Sequence, residues 1–436
     1  LTLNSGTITA NEALMGSAIH RLGKGTVTIA GGTVTENFST KNENNASGVS
    51  DGSFYADSSE NIIWQGVTAA DVFVNNYAGE VPDRLGGDHS ITKQSDFDKY
   101  YPLTIINGKR VRMLHDNVNL GCTINVSGEE TWIALNDTSI NRCSNISSMI
   151  CVKGNGKLTL GDASISEKKL IIDGEGWFTN IAQNNGCNVS RADSYYLGMD
   201  ATLLYVSAGA VVNMNDNVII QNGVSYTNRS NTKLSDAIVA GSAITNHGTL
   251  NLLGGLITKN AVTHHMTRDY DSPVYLGEKS GYMPCILNKG QGAVLNLSGT
   301  IMEENVVGGA AVVANYGGKV EITGGEITAF KNDGGYQLLV ENAGDFSMKG
   351  GKIKQVEYLI GNTYQANPEV VFRNAENMVM ESGIISGSLE NQNSANEELP
   401  VFTMKGGTLE SYNSDTFLNY GDAVIEDGNI YLHVKR

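Results

Sequence analysis

Proline is scarce in this chain, six among 436 residues, while glycine reaches 51. That balance excludes a collagen-like or proline-rich disordered polymer. It suits a chain that turns often at positive φ and keeps its backbone donors for strand ladders. Cysteine is also thin. Cys122, Cys143, Cys151, Cys187 and Cys285 are odd in number and lack CxxC or CxxH spacing, which argues against a zinc site. Cys143 and Cys151 are near enough in sequence to bridge a short loop; buried free thiols are the other reading. No hydrophobic run has the length of a transmembrane helix, and no signal peptide or lipidation motif is present, so no direct membrane insertion is expected. Positive charge is outweighed, with a net charge of −16 and a pI near 4.9. Nucleic acid would need a basic track and is excluded as a partner. An acidic surface fits a soluble extracellular protein, secreted or held at a cell surface, and also one that collects divalent cations.

What is abundant is one phrase. An apolar-x-apolar pair is followed by a Gly-Gly turn and an apolar residue beyond it. It reads Val27-x-Ile29-Ala-Gly31-Gly32-Thr-Val34 and returns at 250–257, 320–327, 346–353 and 402–409. Copies with other turn residues run from Leu158 to Ile165, Val212 to Ile219 and Met378 to Ile385; the copy from Leu295 to Ile301 reads as one turn residue short. Alternation places Val320 and Ile322 on one face and Glu321 on the other, the period of a strand. Gly324-Gly325 bends the chain and Ile327 restarts the inward pattern. A third strand precedes the phrase, as in Ser242-Ala-Ile-Thr-Asn246 and Ala310-Ala-Val-Val-Ala-Asn315. Fixed-period strands of this kind predict an all-β fold, a right-handed parallel β-helix. The solenoid would be three-sided, with coils of about two dozen residues carrying inserted loops and stacked about 4.8 Å apart. Asn37, Asn222, Asn260 and Asn305 stand at strand ends, where left-handed backbone is tolerated and stacked amides can form a ladder.

Residues 80–103 break the rhythm with two prolines and clustered charge. Residues 1–79 then read as the coils of a preceding section, 80–103 as a linker or excursion, and 104–436 as the main β-helix. One continuous helix with a long excursion is the alternative. Leu1 is not an initiator Met and sits within a repeat phrase, so the chain is expected to be a segment of something longer.

Val111-Arg-Met-Leu-His-Asp-Asn-Val-Asn-Leu120, Thr123-Ile-Asn-Val-Ser-Gly128, Ile133-Ala-Leu-Asn-Asp-Thr-Ser-Ile140 and Gly154-Asn-Gly-Lys-Leu-Thr-Leu-Gly-Asp162 resemble the opening of the repeat-rich β-helix domains in cell-surface adhesin-like proteins of gut Firmicutes. Residues 246–260 are similar to that family's repeat. The resemblance covers most of 104–436 and residues 1–40. It implies the fold and a surface location, and carries no catalytic residues.

Three long insertions follow the same strand of the phrase, near 184–200, 223–236 and 261–284. With coils in register, all three would emerge at one corner, and loops on a rigid scaffold are where binding is usually placed. The first holds Arg191, Asp193, Tyr195 and Tyr196; the second Tyr226 and Arg229; the third His264, His265, Arg268, Asp269, Tyr270, Asp271, Tyr275 and Tyr282. Rings that stack on a sugar face, beside Arg and carboxylate groups for its hydroxyls, point to a glycan or a host surface protein as partner. The same aromatics would equally fill the small core of a folded-back cap. The functional expectation is a non-catalytic adhesin-like module. An extracellular glycoside hydrolase or polysaccharide lyase is the alternative, with Asp193, Asp269 and Asp271 as paired carboxylates or Ca²⁺ ligands and His264 or His265 as base. No other cofactor is expected. Neither end of the solenoid carries an evident cap, so an open strand edge leaves head-to-tail self-association open.

Overall fold

In the computed structural model the described residues are 1–436 apart from 10, 14–15, 36, 40–46, 48, 50–52, 75–76, 79–88, 116, 143–145, 175–201, 227–240, 264–283, 308–310, 329–337, 361–362, 368–369, 393–398, 413–414 and 434–436. They are mostly β-strand, with two short helices, Ala69–Val72 and Gln94–Tyr100. The chain divides into two compact units, residues 1–87 with 97–113, and residues 88–96 with 114–436.

The first unit pairs short strands in parallel. Thr2–Leu3, Val27–Ile29 and Ile62–Trp64 form one set, and Thr7–Thr9, Thr33–Thr35 and Phe73–Val74 another. Alternation turns Val27, Ile29, Val34, Phe54 and Phe73 into its core. Residues 103–106 and 109–112 depart from the parallel pattern and pair antiparallel, Thr104 opposite Val111 and Ile106 opposite Lys109.

The second unit consists of three rows of parallel strands. One runs from Val118–Leu120 through Thr138–Arg142, Leu170–Asp173, Val218–Gln221, Leu256–Thr258, Ile301–Glu303 and Glu326–Thr328. Another contains Lys157–Leu160, Val211–Met214, Thr249–Leu252 and Val294–Leu297. The last contains Ile124–Val126, Ser148–Val152, Thr202–Val206, Ile244–Asn246 and Ile286–Lys289. All three rows continue into the long strands beyond residue 311. Part of the segment read as a linker joins this ladder, since His89–Ile91 pairs in parallel with Val118–Leu120.

The first row presents an unbroken apolar column to the interior. Ile140, Ile172, Ile220, Ile257, Met302, Ile327, Ile353, Ile385 and Leu409 are successive Cα partners, and all are at most 1% exposed. This register corrects three sequence assignments. Ile257 pairs with Met302, so the phrase at Leu295 has its full turn, and Ile301 faces outward at 45% exposure. Ile220 rather than Ile219 is the inward residue of its strand. Ile172 takes the place given to Ile165, which instead lies in a turn closed by the Asp162–Ser166 bridge. A run of two apolar residues hides which of them faces inward, and only the ladder decides. The Gly-Gly turn has two separate causes. Gly325 adopts φ +79°, and a Cβ at Gly324 would meet the Ser298 carbonyl oxygen of the previous repeat at 2.2 Å.

At the end of the third row the interior column changes chemistry. Val126, Val152 and Val206 are followed in register by Asn246, Asn288, Asn315, Asn342, Asn374, Asn391 and Asn419. Each Nδ2 before Asn419 donates to the Oδ1 of the next Asn at 2.7 or 2.8 Å. A backbone carbonyl takes another Nδ2 hydrogen, such as Gly318 O for Asn315 and Gly344 O for Asn342, and this fixes the orientation of each amide. The first six are fully buried. Of the strand-end residues Asn37, Asn222, Asn260 and Asn305, Asn37 accepts from Asn11 Nδ2 at 2.9 Å and Asn260 donates through Nδ2 to Asn305 Oδ1 at 3.0 Å, while Asn222 joins no amide stack among the described residues. Asn222 has φ +55°, while the left-handed residues of the next two repeats are Lys259 and Glu304, one position earlier than read.

Two outcomes follow from this packing. Met302→Ala removes a buried side chain and should cost about 2–5 kcal/mol, while Ile301→Ala should stay within roughly 0.5 kcal/mol, as read by urea unfolding. Asn315→Ala strands Asn288 as donor and Asn342 as acceptor, an expected loss of roughly 2–4 kcal/mol. Asn419→Ala, at the exposed end of the same ladder, should cost about 1 kcal/mol or less in the same assay.

Candidate functional site

The insertions leave and re-enter the rows at neighbouring rungs. Leu170–Asp173 leads to Gly174, whose N–H donates to Gln221 O at 2.9 Å, one repeat on. Beyond Asn222, Gly223 donates to Asn260 Oδ1 at 2.8 Å, and Asn260 N–H donates to Asn305 Oδ1 at 3.1 Å. The strands leaving these corners, Val224–Tyr226, Ala261–Thr263 and Val306–Val307, pair in parallel, with Val224 opposite Ala261 and Ala261 opposite Val306. The returns are also adjacent. Leu203 N–H donates to Ala243 O and Ala243 N–H to Cys285 O, each at 3.0 Å. The feet of the three insertions therefore occupy one corner of successive repeats, because the hydrogen bonds of the ladder leave no freedom in register.

Arg191, Asp193, Tyr195, Tyr196, Arg229, His264, His265, Arg268, Asp269, Tyr270, Asp271, Tyr275 and Tyr282 lie outside the described residues. Tyr226 is described through its backbone alone, paired with Thr263. Among the described residues no group of three or more His, Cys, Asp or Glu side chains is placed to hold a metal ion.

At the end of the first row, on rungs before, among and after those from which the insertions leave, buried polar groups are incompletely satisfied among the described residues. Gln355 is 2% exposed, and both its amide atoms lack a partner. Asn222 donates to both Asp173 oxygens at 3.0 Å, but its own Oδ1 accepts nothing. Arg142 donates through Nη2 to Ile146 O, its Nε is unpartnered, and burial pulls its guanidinium down to about 10. It still carries its charge at neutral pH. Buried polar groups left this way are unusual in a packed interior, where strain or a bound water or ion is the common cause.

A second group lies on the outward face of the third row, just past the returns. Strand alternation turns Asn342, Asn374 and Asn391 inward and so turns Glu341, Arg373 and Glu390 outward on three consecutive rungs. Tyr316 Oη donates to Glu341 Oε2 at 2.6 Å, and Arg373 Nε to Glu390 Oε2 at 2.8 Å. The Tyr316 ring packs on Leu287 and Ala314, the buried residues that precede Glu341 in the same column. Burial first, and then the Glu341 carboxylate, hold the Tyr316 hydroxyl well above its ordinary pKa. It remains a donor at neutral pH. Beneath Arg373, Phe372 meets Phe346 edge-to-face at 4.7 Å and stiffens the strand. These four residues were not singled out from sequence. The available signal is that Glu341, Arg373 and Glu390 each immediately precede a stacked Asn.

Cys122, Cys151 and Cys285 are free thiols, so the bridge between Cys143 and Cys151 does not form. Cys143 and Cys187 lie outside the described residues. Cys285 stands at the return of the third insertion, its Sγ donating to Asn305 Oδ1 at 3.6 Å.

With this geometry in hand, comparison with known proteins finds no match among protein-family models, curated proteins or solved structures.

Burial pushes the Cys285 thiol from 9.0 up to about 12. The unfolded chain then loses this proton at a lower pH than the folded one. Its contribution to stability should be complete below pH 9 and fall away as pH rises towards 12. Urea unfolding between pH 8 and 12 should show this decline, and Cys285→Ala should lessen it. An unchanged pH profile in that variant would mean an accessible thiol.

Proposed function

We propose that the chain is a right-handed, three-sided parallel β-helix from an extracellular adhesin-like protein of a bacterial cell surface. It binds a glycan or a host surface protein, without catalysis, through the corner where its insertions emerge. The observation that carries this reading is the in-register placement of the insertion feet on three successive repeats. A stiff row of strands can hold separate loops as one surface, and so present a ligand with several contacts at once at little ordering cost. The three rows of parallel strands and the Gly-Gly turns support the coil geometry. The net charge of −16 supports an exposed, soluble surface.

On the outward row past the insertions, the carboxylates are placed for binding. Glu341 and Glu390 stand two rungs apart, about 10 Å from backbone to backbone. Each is engaged as an acceptor, from Tyr316 and from Arg373 respectively.

The test is a glycan array of mucin-type and plant polysaccharides, with the same samples assayed for released reducing or unsaturated ends. Retained binding with no released ends is the expected result. Release of ends would replace this reading with the polysaccharide-active enzyme, and make Asp193, Asp269 and Asp271 the first positions to substitute.

A further inference from the structure

The outward row built on Tyr316, Glu341, Arg373 and Glu390 has free recognition capacity. Arg373 uses Nε for Glu390, and its two terminal nitrogens have no hydrogen-bond partner among the described residues. Glu341 uses Oε2 for Tyr316, and its other oxygen is likewise unengaged. The Arg373 side chain is 40% exposed and that of Glu390 13%. Donors and acceptors thus alternate along the stacking direction: acceptor at Glu341, paired donors at Arg373, acceptor at Glu390. The next residue in register is Leu418, partly buried and apolar. These four rungs span about 14 Å at about 4.8 Å each.

We propose that this row is a binding site for a neutral, extended glycan that lies along the stack with roughly one pyranose residue on each repeat. It rests on the glycan-binding reading above, names the ligand class, and adds a second contact surface to the corner where the insertions emerge. Three observations select that ligand. The rung spacing is comparable to the length of one sugar residue in an extended chain, so the pattern of a single repeat can be read again on the next. Vicinal hydroxyls both donate and accept, and a carboxylate beside a guanidinium serves the two roles at once. The row carries two carboxylates against one guanidinium, on a chain of net charge −16, so an acidic saccharide meets repulsion where a neutral one does not. Tyr316 is a positioning residue. Held by Leu287 and Ala314, it fixes the Glu341 carboxylate through one oxygen and leaves the other for ligand.

The experiment uses the whole chain and titrates neutral xylo-, cello- and manno-oligosaccharides of two to six residues. A matched oligogalacturonate series and, in parallel, the array glycans accompany them. Affinity for at least one neutral series should rise with length up to about three or four residues and then level. Arg373→Gln and Glu341→Gln should each weaken it about tenfold or more, the effect of losing a hydrogen bond to a charged group. The double variant Arg373→Gln with Glu390→Gln, which strands neither charge, should show the same loss and retain the wild-type unfolding midpoint. Glycan binding that survives the row variants and is lost in Tyr195→Ala or Tyr270→Ala would overturn the row while sparing the loop reading. Preference for the uronate series would overturn the neutral ligand class. Absence of binding to every glycan would overturn this row and the glycan arm of the proposed function, leaving a host surface protein as the partner.

Discussion

A buried primary amide has two donor hydrogens and an acceptor oxygen to satisfy, and failing to do so costs about 1–3 kcal/mol for each group. In the column from Asn246 to Asn419 that requirement is met by the Asn of the repeat before, the Asn of the repeat after and nearby backbone carbonyls. One rung cannot slip without stranding its neighbours on both sides. The apolar columns favour stacking but tolerate sliding, since one isoleucine packs on another much as on a valine. The amide column converts stacking into register. Its two ends obey the same accounting. The Asn246 oxygen, which faces Val206, accepts Gly248 N–H instead, and the Asn419 amide turns to Gly421 O. A uniform direction of donation along the ladder also lets the bonds polarise one another.

Register is what gives the outward faces meaning. Because Asn342, Asn374 and Asn391 are held inward and opposite one another, Glu341, Arg373 and Glu390 must appear outward and opposite one another. The same constraint stacks the feet of the insertions. Function, on the proposed reading, is placed by the ladder and chosen by the side chains that the ladder does not need. The corner seam follows another rule. Gln355 and Arg142 are buried without full partners, and the stability lost there is recovered in the apolar columns.

Much of the scaffold was legible in the sequence, because strand alternation and Gly-Gly turns are local signals. Val320, Ile322 and Ile327 fall inward as their spacing requires. What failed was resolution at adjacent apolar pairs. Ile219 and Ile220, or Ile301 and Met302, are equivalent until a neighbouring strand selects one. The antiparallel pairing of 103–106 with 109–112 was missed for a related reason, as alternation alone does not report strand direction. The Asn column was legible only in part. Its members are separated by intervals as different as 42 residues, Asn246 to Asn288, and 17 residues, Asn374 to Asn391, so fixed spacing does not reveal it. The outward row inherits that irregularity. The aromatic and acidic residues of the insertions carry chemistry that composition points to, while their arrangement lies outside the described residues.

The claim on which the account rests is that the Asn column is a continuous hydrogen-bonded ladder in solution. Side-chain amide hydrogen exchange, followed by NMR on the deuterated whole chain, addresses it directly. The Nδ2 protons of Asn288, Asn315, Asn342 and Asn374 should exchange as slowly as the backbone amides of Val320 and Phe346, through global unfolding alone. Rapid exchange of these side chains beside protected backbone amides would contradict it, leaving the repeats stacked by apolar contact without the ladder that fixes their register.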